Sequence, residues 1–157
     1  MPRFEAETTV AGSLEELVAF HTDTDGLVEL TPRLLRPRVS MLRGDRSNLR
    51  EGDEFVFETR PLGLGPTQRF HAEIMSIERE DDRFVIEDAA VDGPFEHWRH
   101  RHRLERTLDG TRVVDEIRYH GPPGGSLGTL FAPVALRLLF RYRHRRLHQR
   151  FGRPPEV

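Results

Sequence analysis

The sequence predicts a single α+β domain over residues 1–157, with one strand, two short helices, six further strands and a long C-terminal helix in that order. Two changes of period predict it. Residues 3–10 and most of 35–120 alternate apolar and polar side chains with the period of two of a half-buried strand, whereas 13–20 and the stretch after 125 carry apolar residues at helical spacing. A chain of 157 residues is also about the length of one domain with one sizeable core.

The first strand alternates Phe4, Ala6, Thr8 and Val10 with Arg3, Glu5, Glu7 and Thr9. Ser13 followed by Glu16 is a capping box, and Leu14, Leu17, Val18 and Phe20 give the helix behind it an apolar face. DGLVELTP carries a second short helix, ending before Pro32. Four strands then centre on Leu35, Val39 and Met41, on Phe55 and Phe57, on Phe70, Ala72 and Ile74, and on Phe84 and Ile86, separated by RGDRSN, PLGLGP and REDD. Strands over 97–107 and 111–120 meet at Asp109-Gly110, a pair that type I′ hairpins favour. After Pro-Pro-Gly-Gly at 122–125, Leu127, Leu130, Phe131, Val134, Leu138, Tyr142, Leu147 and Phe151 predict the last helix, with Pro133 either kinking it near residue 130 or starting it.

Composition removes several kinds of chemistry. The absence of cysteine excludes disulfides and thiolate metal sites, and all 24 basic residues are arginine, so no Schiff-base lysine exists. MPRFEAETTV has charges where a signal peptide needs an apolar core, which predicts a cytoplasmic protein. The longest apolar run, Leu130 to Leu136, falls far short of the ~20 residues of a membrane span. Net charge is only -2, but residues 1–98 hold 11 Arg and 21 acidic residues against 13 and 5 in residues 99–157. The two ends of the chain are expected to attract one another.

Residues 93–105, GPFEHWRHRHRLE, crowd three histidines and three arginines around the only tryptophan. A turn at Asp109-Gly110 sets Leu108 opposite Thr111, His102 opposite Ile117 and Arg103 opposite Glu116. Trp98, His100, His102 and Leu104 then share a face with Val113, Asp115, Ile117 and Tyr119, and that face is the inner one; Arg99, Arg101 and Arg103 point to solvent. Asp115 and Tyr119 fall diagonal to His102, within side-chain reach. Three readings of this His-Asp-Tyr cluster stand side by side: mutual hydrogen bonding in a wet core, a polar anchor for a cavity ligand, or a general acid/base pair. In each, Asp115 accepts a proton from His102, whose other nitrogen faces the cavity.

No metal and no cofactor are expected. His97 points outward while His100 and His102 point inward, and His144 and His148 on the last helix lack a third ligand, so they read as exposed. HTDTDG places Pro32 where a calcium loop needs its last carboxylate, and PLGLGPT lacks the helix of a phosphate cradle, leaving it as a mobile loop at a cavity mouth. FRYRHRRLHQRFGR mixes arginine with aromatics, yet Phe140, Leu147 and Phe151 hold core positions, so no nucleic-acid partner is expected.

The chain resembles the SRPBCC superfamily, which includes START-like, polyketide cyclase/dehydrase-like and birch-pollen-allergen-like proteins, over essentially its whole length. GPFEHWRHRHRLE is similar to the pattern G-P-F-x-x-W-x-H-x-H-x-F, and GTRVVDEIRYHGPPGG to G-T-x-x-x-D-x-I-x-Y-x-x-P-x-G, with LFRYRHRRL following. The match falls on Gly93, Pro94, Phe95, Trp98, His100, His102, Gly110, Thr111, Asp115, Ile117, Tyr119 and Arg143; Leu104 stands where the pattern has Phe, and Pro133 interrupts the last helix. The resemblance implies a helix-grip fold, a curved seven-stranded antiparallel sheet around the C-terminal helix, with a cavity for hydrophobic small molecules. Expected lining residues are Trp98, His100, His102, Asp115, Ile117, Tyr119, Phe55, Phe57, Phe70 and Phe84. The leading expectation is a non-enzymatic binding or carrier protein for a lipid, quinone or polyketide-like molecule. The alternatives are a cyclase or dehydratase using His102, Asp115 and Tyr119, and an adaptor meeting a membrane surface or a protein through the arginine-rich last helix.

Overall fold

The computed structural model describes residues 2–121 and 126–155, with residues 126–131 described as backbone. The Pro-Pro-Gly-Gly break and the side chains of Leu127, Leu130 and Phe131 lie outside the described residues. The order is β1 (Arg3–Val10), α1 (Leu14–His21), α2 (Thr24–Glu29), β2 (Arg38–Arg43), β3 (Glu54–Thr59), β4 (Gln68–Arg79), β5 (Arg83–Asp92), β6 (His97–Thr107), β7 (Gly110–His120) and α3 (Ser126–Phe151). All seven strands form one antiparallel sheet in the order β1-β7-β6-β5-β4-β3-β2. Register shifts between His71 and Ala72 and between Ile74 and Ser76 bend β4, and the sheet curves around α3 in the helix-grip arrangement.

Local chemistry accounts for the elements. The Ser13 side chain accepts from the Glu16 N–H while the Glu16 carboxylate accepts from the Ser13 N–H, so the capping box forms, and Leu14, Leu17 and Phe20 are buried behind it. Asp23 caps α2 by accepting from the Asp25 N–H, the turn role that HTDTDG implies. Leu35 belongs to a 3-10 turn over Arg33–Leu35 rather than to β2, because Arg36 takes a left-handed conformation and breaks the strand before it begins.

Two departures concern β6-β7 and α3. The hairpin turns at Leu108 and Asp109, neither with a positive φ, and Thr107 pairs with Gly110. Gly110 is the first residue of β7 and lies against β1: a Cβ there would sit 1.9 Å from the Val10 carbonyl oxygen. The glycine therefore serves a close approach, not the expected mirror-image turn, and every pair shifts by one residue on each strand. Arg103 opposes Val114, and Arg101 opposes Glu116. The faces survive because this shift preserves the alternation.

In α3, Pro133 neither starts the helix nor stops it; it lies inside a continuous helix that begins at Ser126. Ala132, Leu136, Phe140 and Leu147 form its buried stripe, while Val134 and Leu138 of the expected stripe are exposed on the other side. The charge asymmetry is used as expected. Arg106 reaches Glu15 at 2.7 Å, Arg150 reaches Glu29 at 3.0 Å, and Arg112 pairs with Glu7. These pairs are largely solvent-exposed, so they favour the docking arrangement more than they add stability. Among the described residues no helix is long and apolar enough to cross a membrane.

Candidate functional site

The inward alternation of three neighbouring strands brings four polar side chains together beneath α3. On β5 the inward series Phe84, Ile86 continues to Asp88, which opposes His100; on β6 the next inward residue, His102, opposes Asp115 of β7. His100 Nε2–H donates to Asp115 Oδ1 at 2.9 Å. His102 Nδ1 lies 2.8 Å from the same oxygen without the alignment of a hydrogen bond, and its Nε2 is 3.4 Å from Asp88 Oδ2. The expected donation from His102 to Asp115 is thus made by His100, because the shifted register places both rings over one carboxylate. The two rings stack with centroids 3.6 Å apart, and His21 from the end of α1 meets His102 edge-on at 5.7 Å.

These contacts separate the protonation states. Burial and then the nearby His102 cation push His21 down to about 4, and its Nδ1–H donates to the Leu17 carbonyl at 2.9 Å. Burial opposes charge on His102 as well, but Asp115 and Asp88 outweigh it and raise the imidazole to about 9. His100 is lowered by burial and by His102. Burial also opposes charge on Asp115, yet the two histidines hold its carboxyl well below the usual carboxylate range. At neutral pH the cluster thus holds a protonated His102 beside a neutral His21.

An internal cavity of about 230 Å³ opens beside the cluster, between the sheet, the α1-α2 pair and α3. Its walls are mostly apolar, with Phe20, Leu27 and Leu30 from the helix pair and Phe140 from α3. Of the residues the sequence pointed to, Phe55, Phe57, Phe70, Trp98, His100, His102 and Ile117 line it. Trp98 packs against Phe70 and Phe95, with ring centroids 5.5 and 4.8 Å away.

Three expected residues do not line the cavity. Asp115 sits behind the histidines it holds, Tyr119 is buried against Phe95, and Phe84 is buried in the core at the opposite end of β5. PLGLGPT is also absent from the wall; it forms a turn over Pro61–Gly63 whose preceding residue, Arg60, donates its N–H to the Leu35 carbonyl.

Sequence reasoning did not place Phe20, His21, Asp88 or Arg143 at the cavity. Asp88 had a readable signal, a carboxylate at an inward position of an otherwise apolar series. Arg143 lay on the SRPBCC pattern; it now lines the cavity, its guanidinium over the Phe140 ring at 5.1 Å. Its Nε has no hydrogen-bond partner, and among the described residues it makes no ion pair. Burial lowers it, with Asp115 and Asp88 opposing. His144 and His148 are partly buried rather than exposed, and they do not converge: His148 Nε2 lies 3.0 Å from Thr8 Oγ1 and from the Thr9 carbonyl.

A seven-stranded antiparallel sheet gripping one long helix above a largely apolar cavity is the helix-grip fold. Solved structures carry the same fold across nearly the whole chain. A protein of Chromobacterium violaceum superposes with a TM-score of 0.70 at 14% identity, covering 98% of both chains. Major latex-like protein 151 of Panax ginseng gives 0.69 at 12%, covering 96% of this chain and 97% of its own. A hypothetical protein of Helicobacter pylori gives 0.70 at 17%, covering 96% and 88%. No curated protein matches the sequence. Residues 10–151 match the family described as a domain of unknown function, DUF8410, and the chain belongs to that family.

Proposed function

We propose that the protein is a single-domain binder or carrier of a small hydrophobic molecule with one or two rings and an oxygen-bearing polar end. The observation that carries this reading is the cavity: apolar aromatic walls that converge on His102 and Arg143. A cavity of about 150 Å³ accommodates benzene, so 230 Å³ suits a bicyclic molecule better than a long lipid chain. The protonated His102 and the Arg143 guanidinium, which makes no ion pair among the described residues, are donors, which favours a phenolate or carboxylate end. Tyr119 stands off the cavity, which counts against the three-residue cyclase constellation. Pairing of Arg146 and Arg150 with Glu29 leaves less of the last helix free for an adaptor role.

The test is titration of the chelator-treated protein with 2-naphthoate and with naphthalene, read by Trp98 fluorescence. One-to-one binding is expected, tighter for 2-naphthoate, with Arg143→Met reducing its affinity by about 1 to 3 kcal/mol, the scale of a buried polar group left unsatisfied. Both probes should be recovered unchanged. Failure of both to bind would overturn the reading, and equal affinity for the two would remove the polar end from it.

A further inference from the structure

We propose that Asp88, His100 and His102 bind one divalent transition-metal ion, with Asp115 orienting the two imidazoles from behind. This goes beyond ligand carriage and does not depend on it. One donor atom from each of the three residues lies within 4.8 Å of the other two. Adjacent ligands in a site with bonds of about 2.0–2.2 Å sit roughly 3 Å apart, and His102 Nε2 and Asp88 Oδ2 are already at 3.4 Å. Side-chain rotation closes the remainder on binding, from separations of up to 4.8 Å.

Three features of the surroundings suit a cation. Asp115 contacts one nitrogen of each ring, His100 Nε2 and His102 Nδ1, the outer carboxylate support that metal-bound histidines commonly have. Asp115 and Asp88 contact opposite nitrogens of the His102 ring, and a divalent ion with neutral histidines balances both carboxylates. His102 is not locked, since its contacts to Asp115 and Asp88 both lack hydrogen-bond alignment and its buried Nδ1 is left without a partner.

The donor set of two nitrogens and one carboxylate, with no thiolate, suits Zn²⁺, Fe²⁺ or Co²⁺. Three protein ligands leave positions open, and all three residues line the cavity, so a bound ion is positioned to meet whatever the cavity holds. The contrary expectation weighed the histidines of β6, two inward and one outward, the His144-His148 pair and the acids of HTDTDG, but not Asp88. The third ligand comes from β5, through the Asp88-His100 register that the hairpin does not reveal.

The experiment takes the whole chain, stripped with a chelator, and titrates it with Co²⁺ and with Zn²⁺. Uptake of ~1 equivalent is expected, with visible Co²⁺ absorption and a raised melting temperature. Asp115→Asn should weaken binding by roughly 10- to 100-fold, the scale of an outer support, and Asp88→Asn by more, whereas His120→Gln on the exposed end of β7 should leave it unchanged. Because a variant can fail to fold, Cu²⁺ bound to the unmodified protein is also read by electron paramagnetic resonance, where coupling to two imidazole nitrogens is expected. Absence of stoichiometric uptake, affinity unchanged by Asp88→Asn in a folded variant, or a copper spectrum without coupling to two nitrogens overturns the site. The 2-naphthoate titration on stripped protein is read separately, so either idea can fail without the other.

Discussion

The stability of the metal-free protein should peak near pH 6.5 and fall on both sides, and the two flanks belong to different histidines. His102 is raised to about 9 from an ordinary value near 6.5. Between those values the folded state holds a proton that the unfolded chain has released. Its contribution is therefore fully present below about pH 6.5 and lost as pH rises through 9, amounting to roughly 3 kcal/mol. His21 works in the opposite sense. Lowered to about 4, it refuses a proton that the unfolded chain accepts, so stability falls by a similar amount as pH drops from about 6.5 to 4. His100, also lowered, adds to this flank. Asp115 deepens it at still lower pH, because a depressed carboxyl contributes stability that is lost as pH falls through its folded value. The decisive perturbation is His102→Gln. Urea unfolding of both proteins, followed by Trp98 emission and circular dichroism from pH 5 to 9 at constant ionic strength, gives the profile. In the variant the alkaline fall should disappear, and the acid fall should become shallower because His21 loses a neighbouring cation. If His102→Gln loses stability between pH 7 and 9 as steeply as the parent, the assignment of that proton to His102 is wrong.

Two further outcomes test the fold. Gly110→Ala should lower stability by about 1 to 3 kcal/mol or more, since its Cβ would lie 1.9 Å from the Val10 carbonyl oxygen and must push β1 from β7; an unchanged urea midpoint would contradict that approach. Pro133→Ala should raise stability by up to about 3 kcal/mol, because Pro133 is exposed inside α3 and the alanine restores an N–H for the carbonyl of residue 129 without disturbing the buried stripe; differential scanning calorimetry reads the change, and a lowered melting temperature would sink the argument.

The order of elements was legible because each rests on local chemistry. The capping box at Ser13 and Glu16, the period-two runs and the return to helical spacing each act within a few residues, and the corresponding elements form where that chemistry places them. Errors arose where a residue's purpose is not local. Gly110 carried a turn signal, but its lack of a side chain answers to β1, about a hundred residues earlier. Val134 and Leu138 have helical spacing and are exposed, since the docking face of α3 is set by the sheet's concavity rather than by α3 alone.

The candidate site was legible only in half, and the division has a physical basis. The inward positions of His100, His102 and Asp115 follow from alternation, which a register shift that moves both strands equally cannot alter. What alternation cannot supply is the neighbour across the next strand. Asp88 meets His100 only because β5 and β6 pair as they do, across a connection without a tight turn to announce the register. Arg143 arrives from α3, and His21 from the end of α1, so their convergence depends on how the helices close over the sheet. Of these, Asp88 was visible beforehand, as a carboxylate continuing the inward series of Phe84 and Ile86. Such a group is stable there only when others face it from separate elements. An unexplained charge on an inward face is therefore itself a marker of a site, and three such markers here, Asp88, His102 and Asp115, gather beside the cavity that Arg143 enters from α3.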